Sequence, residues 1–104
     1  MGFVVSSGTE ILEEKGIQGC WQKVAVDCWF TSTGRAIPRM VKYEDQDGCL
    51  QVLRDIQVIK QDQKNYAGIY CQRFDCRTQL EGRQYDFILL FHANEHTWDM
   101  VIRK

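Results

Sequence analysis

The chain has one proline and no apolar run approaching the roughly 20 residues of a membrane-spanning helix. It has no basic excess either. Thirteen Lys and Arg stand against 14 Asp and Glu, for a formal net charge of −1. Charges of one sign never run together for long, which argues against broad electrostatic binding of nucleic acid or acidic membranes. The N-terminus lacks the basic region and long apolar core of a secretory signal. There is no CxxC pair, no Gly-x4-Gly-Lys phosphate loop, no internal repeat and no low-complexity segment. A length of 104 residues points to a single domain over 1–104.

Five cysteines are present, Cys20, Cys28, Cys49, Cys71 and Cys76. An odd count without a secretory signal points to reduced thiols in a cytoplasm. Cys71 and Cys76, five apart on one strand, face opposite ways. Cys20 and Cys28 share a face but would lie about 27 Å apart at strand rise. Neither pair chelates one ion, so the thiols read as core groups, and neither a metal nor a cofactor is implied.

The organising stretch is Tyr85-Asp86-Phe87-Ile88-Leu89-Leu90-Phe91-His92, a run rich in strand formers and suited to a central β-strand covered on both faces. A type II′ turn at Gly82-Arg83 would join it to a strand before it, setting Thr78 against Phe87 and Phe74 against Phe91. A two-residue loop at Asn94-Glu95 would join it to a strand after it, with Phe91 facing Trp98, Leu89 facing Met100 and Phe87 facing Ile102. A one-residue slip would turn Trp98 and Met100 to the wrong face, so the short loop is preferred. Residues 69–104 thus form one meander.

Residues 20–59 form another. Val24, Val26, Cys28 and Phe30 share a face of the first strand. Ser32 to Arg35 make the loop, and the second strand, 36–44, carries Pro38 facing Trp29 on the outside, beside a bulge or a free edge. The next hairpin, at Asp45-Gln46-Asp47-Gly48, has two apolar-compatible registers. A third strand over 49–59 carries Leu50, Val52, Ile56 and Val58 in phase, with a bulge near 53–55. Gln61 to Gly68 reads as the polar connection between the meanders. The fold expected is all-β, a six-stranded antiparallel small barrel or two-layer sandwich, preceded by a short N-terminal helix in the segment 1–18, near Glu10 to Lys15. Met-Gly-x-x-x-Ser, through Gly2 and Ser6, fits the myristoylation pattern, but Phe3-Val4-Val5 reads more simply as a strand.

No catalytic motif is found, so an enzyme is not expected. Outer-face Ile88, Leu90 and Val101 form an apolar stripe on an otherwise polar face, which points to a binding module that contacts a protein partner or a second copy of itself. Arg73 and Arg77, with Trp29, Tyr66 and Tyr70, offer a second surface, suited to single-stranded nucleic acid. Ser32, Thr33, Gly34 and Arg35 offer N–H groups and a guanidinium to an anion or small ligand, although the same residues also make an ordinary hairpin loop. His92 and His96 lie four apart across a turn, where solvated imidazoles are the simpler reading than a metal pair. Asp75 and Asp99 would flank Leu90 about 10 Å apart, but no cleft is implied between them.

The stretch Cys28-Trp29-Phe30-Thr31-Ser32-Thr33-Gly34-Arg35-Ala36-Ile37-Pro38, with Lys42-Tyr43 and Lys64-Asn65-Tyr66-Ala67-Gly68-Ile69, resembles a group of small bacterial proteins with no function attached. The resemblance spans most of residues 21–104. It implies a bacterial cytoplasmic protein and carries over no site.

Overall fold

Every regular element is a strand in the computed structural model, which describes residues 20–66 and 68–102. The strands are β1 (Cys20–Phe30), β2 (Ala36–Glu44), β3 (Leu50–Leu53), β4 (Gln57–Tyr66), β5 (Ile69–Leu80), β6 (Arg83–His92) and β7 (Thr97–Ile102). They form one antiparallel sheet in the order β3-β2-β1-β7-β6-β5-β4. The expected N-terminal helix and the Gly2 pattern lie outside the described residues. No helix among the described residues is long and apolar enough to cross a membrane.

Chain order and sheet order agree at every step but one. β3 and β4 are consecutive in sequence yet occupy opposite edges of the sheet. The strand directions make them parallel, so the chain runs from β3 into β4 end to end. Residues 54–56 join them, and four Cα steps span at most about 14 Å. The two edges must therefore come together, and the sheet curls. Ala36, Val41 and Leu53 from one side accordingly share a buried cluster with Phe74 and Cys76 from the other. The expected six-stranded barrel or sandwich is corrected to seven strands in a curled, unclosed sheet. Asp55, at φ 53°, breaks what the sequence presents as one run, and the ring of lateral hydrogen bonds stops there.

The inner face is the core. Phe74, Phe87, Leu89, Phe91, Trp98 and Met100 are buried in one layer, with the Trp98 ring 4.7 Å from Phe91 and 5.6 Å from Phe74. Cys76 belongs to this layer, while Cys71 is buried on the opposite face, as their odd spacing requires. Burial pushes the Cys76 thiol pKa up to about 12, with Asp75 adding to the rise.

Register follows the turns. The β6–β7 pairing is the expected one, Phe91 with Trp98, Leu89 with Met100 and Phe87 with Ile102. Its loop is longer than expected: residues 93–96 close on His92 through the Glu95 and His96 N–H groups, at 3.1 and 2.8 Å. A four-residue loop keeps the phase of a two-residue one, so no side chain changes face. The β5–β6 register is shifted by two, to Thr78 with Tyr85, Cys76 with Phe87 and Phe74 with Leu89. The turn is Glu81-Gly82, at φ 54° and 77°, rather than Gly82-Arg83. Positive φ at both positions defines type I′, whose twist matches that of the strands. A shift of two preserves the faces but moves the rows: Asp75 sits beside Ile88 and Arg73 beside Leu90, so Asp75 and Asp99 do not flank Leu90.

The first three strands depart further. Leu53 is buried against Val41, and Leu50 is exposed, the reverse of the expected phase. Pro38 is buried and lies opposite Cys28, not Trp29. Beyond it the register shifts and returns to Val26 opposite Val41. Because β3 pairs only with Val41–Glu44, residues 36–40 keep one free edge, where a proline is tolerated. The segment read as a polar connection, 61–68, is mostly β4, which ends in a tight turn where Gly68 has φ 86° and donates its N–H to Asn65 Oδ1 at 2.7 Å.

Candidate binding surfaces

The β1–β2 hairpin projects beyond the end of β7, because β7 pairs with β1 only as far as Val24. Its tip is a three-residue loop. Thr31 N–H donates to the Arg35 carbonyl and Gly34 N–H to the Thr31 carbonyl, both at 2.9 Å. Gly34, at φ 87°, supplies the left-handed residue that such loops need. Arg35 N–H donates to Thr31 Oγ1 at 3.0 Å. The β2–β3 loop repeats the design. Asp45 N–H donates to the Cys49 carbonyl, Gly48 N–H to the Asp45 carbonyl, and Cys49 N–H to Asp45 Oδ1. Hydrogen bonds from Gln51 and from the Cys49 and Asp47 N–H groups hold the Asp45 carboxyl below its usual range. Two loops built alike identify the first as hairpin chemistry. The N–H groups of Gly34 and Arg35 are already committed, so two of the four backbone donors of the expected anion site at Ser32, Thr33, Gly34 and Arg35 are turned to the loop itself. The Arg35 guanidinium makes no ion pair among the described residues.

The outer face divides in two. On the β5–β6–β7 side, Cys71, Ile88, Leu90 and Val101 are buried, the last three at 1% exposure or less, with Trp21 packed against them. The stripe expected to meet a partner is therefore core, and Ile88, Leu90 and Val101 offer no open surface. On the β1–β2 side, Trp29 lies opposite Ile37, and the two are 60% and 36% exposed. The Arg39 guanidinium carbon stacks 4.3 Å from the centre of the Trp29 ring. Arg39 is the residue left over where the register shifts, and such a bulge re-aims a side chain. Reading Trp29 as outward was possible from alternation alone. The bulge that brings Arg39 onto it had no sequence signal beyond the neighbouring Pro38.

The residues of the expected nucleic-acid surface are not brought together. Arg73 Nε donates to Asp75 Oδ1 at 2.8 Å and Arg77 Nε to Asp86 Oδ1 at 3.0 Å, so both guanidinium groups are neutralised in place. Tyr70 takes an inner-face position, in phase with Phe74, while both arginines lie on the outer face. Trp29 is on the far hairpin, and the Tyr66 side chain lies outside the described set. His92 Nε2 lies 2.8 Å from Asp99 Oδ2, and Lys23 Nζ is 3.4 Å from the same carboxylate. This cluster ties β1, β7 and β6 together over a buried Asp99. His96 sits apart at φ 58° and is exposed. No group of three His, Cys, Asp or Glu that could hold a metal occurs among the described residues.

The open seam forms a groove of about 530 Å³ between the first hairpin and β4, lined by Thr33, Gly34, Arg35, Gln61, Asp62, Gln63 and Gln72. Its glutamines were not anticipated, because residues 61–68 read as a connection. Comparison with models of known families, with curated proteins and with solved structures finds no match.

Proposed function

We propose that this protein is a small non-enzymatic binding module that pairs with a second copy of itself through the outer face of the β1–β2 hairpin. The observation that carries the reading is Trp29, more than half exposed, paired with Ile37 and covered on one side by Arg39. Trp and Arg dominate the energetics of protein contacts, because each presents a large, preorganised surface. A twofold contact sets a patch against itself, so the patch must complement its own image. Asp27, Arg39, Lys42 and Glu44 share this face and sum to zero charge, which allows each cation to meet an anion of the other copy. A patch of one sign would repel itself.

Sedimentation equilibrium over a concentration series tests the reading. Wild-type protein should show a monomer–dimer equilibrium, and Trp29→Ala should weaken it by about tenfold or more, the loss expected of a central aromatic contact. An unchanged far-UV circular dichroism spectrum would show that the variant is folded. A wild-type chain that stays monomeric at about 0.5 mM, a concentration that would populate even a weak dimer, overturns the proposal.

A further inference from the structure

Polar side chains on the outer face of a single sheet ordinarily reach water, because nothing lies above them. One part of this outer face departs from that. The row that crosses Leu90 carries Arg73 on β5 and Asp99 on β7. The Arg73, Asp99 and His92 side chains are only 20%, 9% and 14% exposed. Arg77 and Asp86, farther along the same face, are 40% and 51% exposed. Trp21 lies beside Val101, and its Nε1–H is buried with no acceptor among the described residues. Burial is therefore deepest over Ile88, Leu90 and Val101 and fades towards Arg77 and Asp86. A gradient of this kind is the footprint of something lying across β5, β6 and β7.

A single chain buries this surface by itself, so the cover is part of the chain. Among the described residues, Trp21 is the hydrophobic side chain packed against the cluster. It stands on β1, in the row of Val101, and shields the flank of the cluster rather than its top. Residue 67 and residues 103–104 are too few to reach from β5 to β7. Residues 1–19 are long enough and start from the right place. They lead into β1 where Cys20 pairs with Ile102 and Trp21 with Val101, at the border of the footprint. The cluster crosses from β7 to β5, about 10 Å at ordinary strand spacing, whereas 19 residues extend to about 60 Å. They also bring apolar side chains, among them Ile11, Leu12 and Ile17. We infer that residues 1–19 dock across the outer face of β5, β6 and β7, with Ile11 and Leu12 over the cluster of Ile88, Leu90 and Val101. The apolar stripe thus has its partner within the chain, and it opens to other partners only when this segment lifts.

Alkylation of the full chain with N-ethylmaleimide, read site by site by peptide mass spectrometry, tests the inference. Cys71 is buried under the footprint, Cys76 is buried on the opposite face, and Cys49 is exposed. In the wild type Cys71 should react at least about tenfold more slowly than Cys49. Ile11→Asp combined with Leu12→Asp should speed the Cys71 reaction about tenfold or more, the opening expected when two apolar contacts are lost. Cys76 should stay protected in that variant, which shows that the rest of the fold is intact. Leu12→Ala should act in the same direction with a smaller effect. An unchanged Cys71 rate in the double variant, or equal acceleration at Cys76, would overturn the inference. So would Cys71 protection that falls on dilution, because the cover would then be a second copy of the chain.

Discussion

Two leucines on the same side of the sheet make the sharpest test of how its outer face is built. Leu90 is fully buried in the outer cluster, and Leu50 on β3 is 66% exposed. Truncating Leu90 to Ala removes buried methyl groups and leaves a cavity among Cys71, Ile88 and Val101. Such changes cost about 2–5 kcal/mol. A domain of this size has a total stability of about 5–15 kcal/mol. At about 4–8 °C per kcal/mol, Leu90→Ala should melt roughly 8–40 °C below the wild type. Leu50→Ala should fall within about 0.5 kcal/mol of it. Leu90→Lys would bury an unpaired ammonium group and should abolish the cooperative transition. Thermal melts followed by circular dichroism give all three answers. If Leu90→Ala melted within about 3 °C of Leu50→Ala, the outer cluster would contribute nothing to stability, and its residues would again be available as a contact surface.

Glu81 holds a left-handed conformation in the β5–β6 turn, and Asn tolerates that conformation better. Glu81→Asn should therefore stabilise the protein by about 0.5–1 kcal/mol in urea titrations, and destabilisation would contradict the type I′ assignment. The Cys76 thiol rises from 9.0 to about 12 on folding. The unfolded chain releases this proton at lower pH than the folded one, so the neutral thiol favours the fold fully below pH 9, and the contribution is lost as pH rises towards 12. Cys76→Ala should flatten that part of the stability–pH profile, and a profile unchanged from wild type would show that Cys76 ionises alike in both states.

The second half of the fold was the more legible. In residues 69–102 the aromatic side chains Phe74, Phe87, Phe91 and Trp98, with Met100, share one phase of the alternation, so any register that respects the faces collects them on one side. Turn type then chooses among registers two residues apart. Here the sequence misled, because Glu81 is an unusual first residue for a type I′ turn. In the first half, phase is written less clearly. Leu50, Val52 and Leu53 present both faces as apolar, and Asp55 at positive φ resolves the conflict by ending β3 early. β4 was hidden because its residues are polar on both faces. It is a strand by virtue of its partner β5, not through any pattern of its own, which is how tertiary context overrides propensity.

The single end-to-end step from β3 to β4 accounts for the proposed contact face and for the open seam. Had β3 continued alongside β2 as far as Ala36, it would have covered the free edge of residues 36–40. Pro38 would then have had to accept a ladder partner that it cannot satisfy, and the bulge at Arg39 would have been excluded. Without that bulge Arg39 would not reach the Trp29 ring. The same early departure of β3 leaves β4 unpaired along its outer edge and opens the groove that Gln61 and Gln63 line. A variant that restored continuous pairing, with Asp55→Val removing the left-handed residue and Pro38→Val restoring a donor, should therefore narrow the groove and displace Arg39 together. Unchanged self-association of that variant in sedimentation equilibrium would show that the Trp29 face does not depend on the bulge at Arg39.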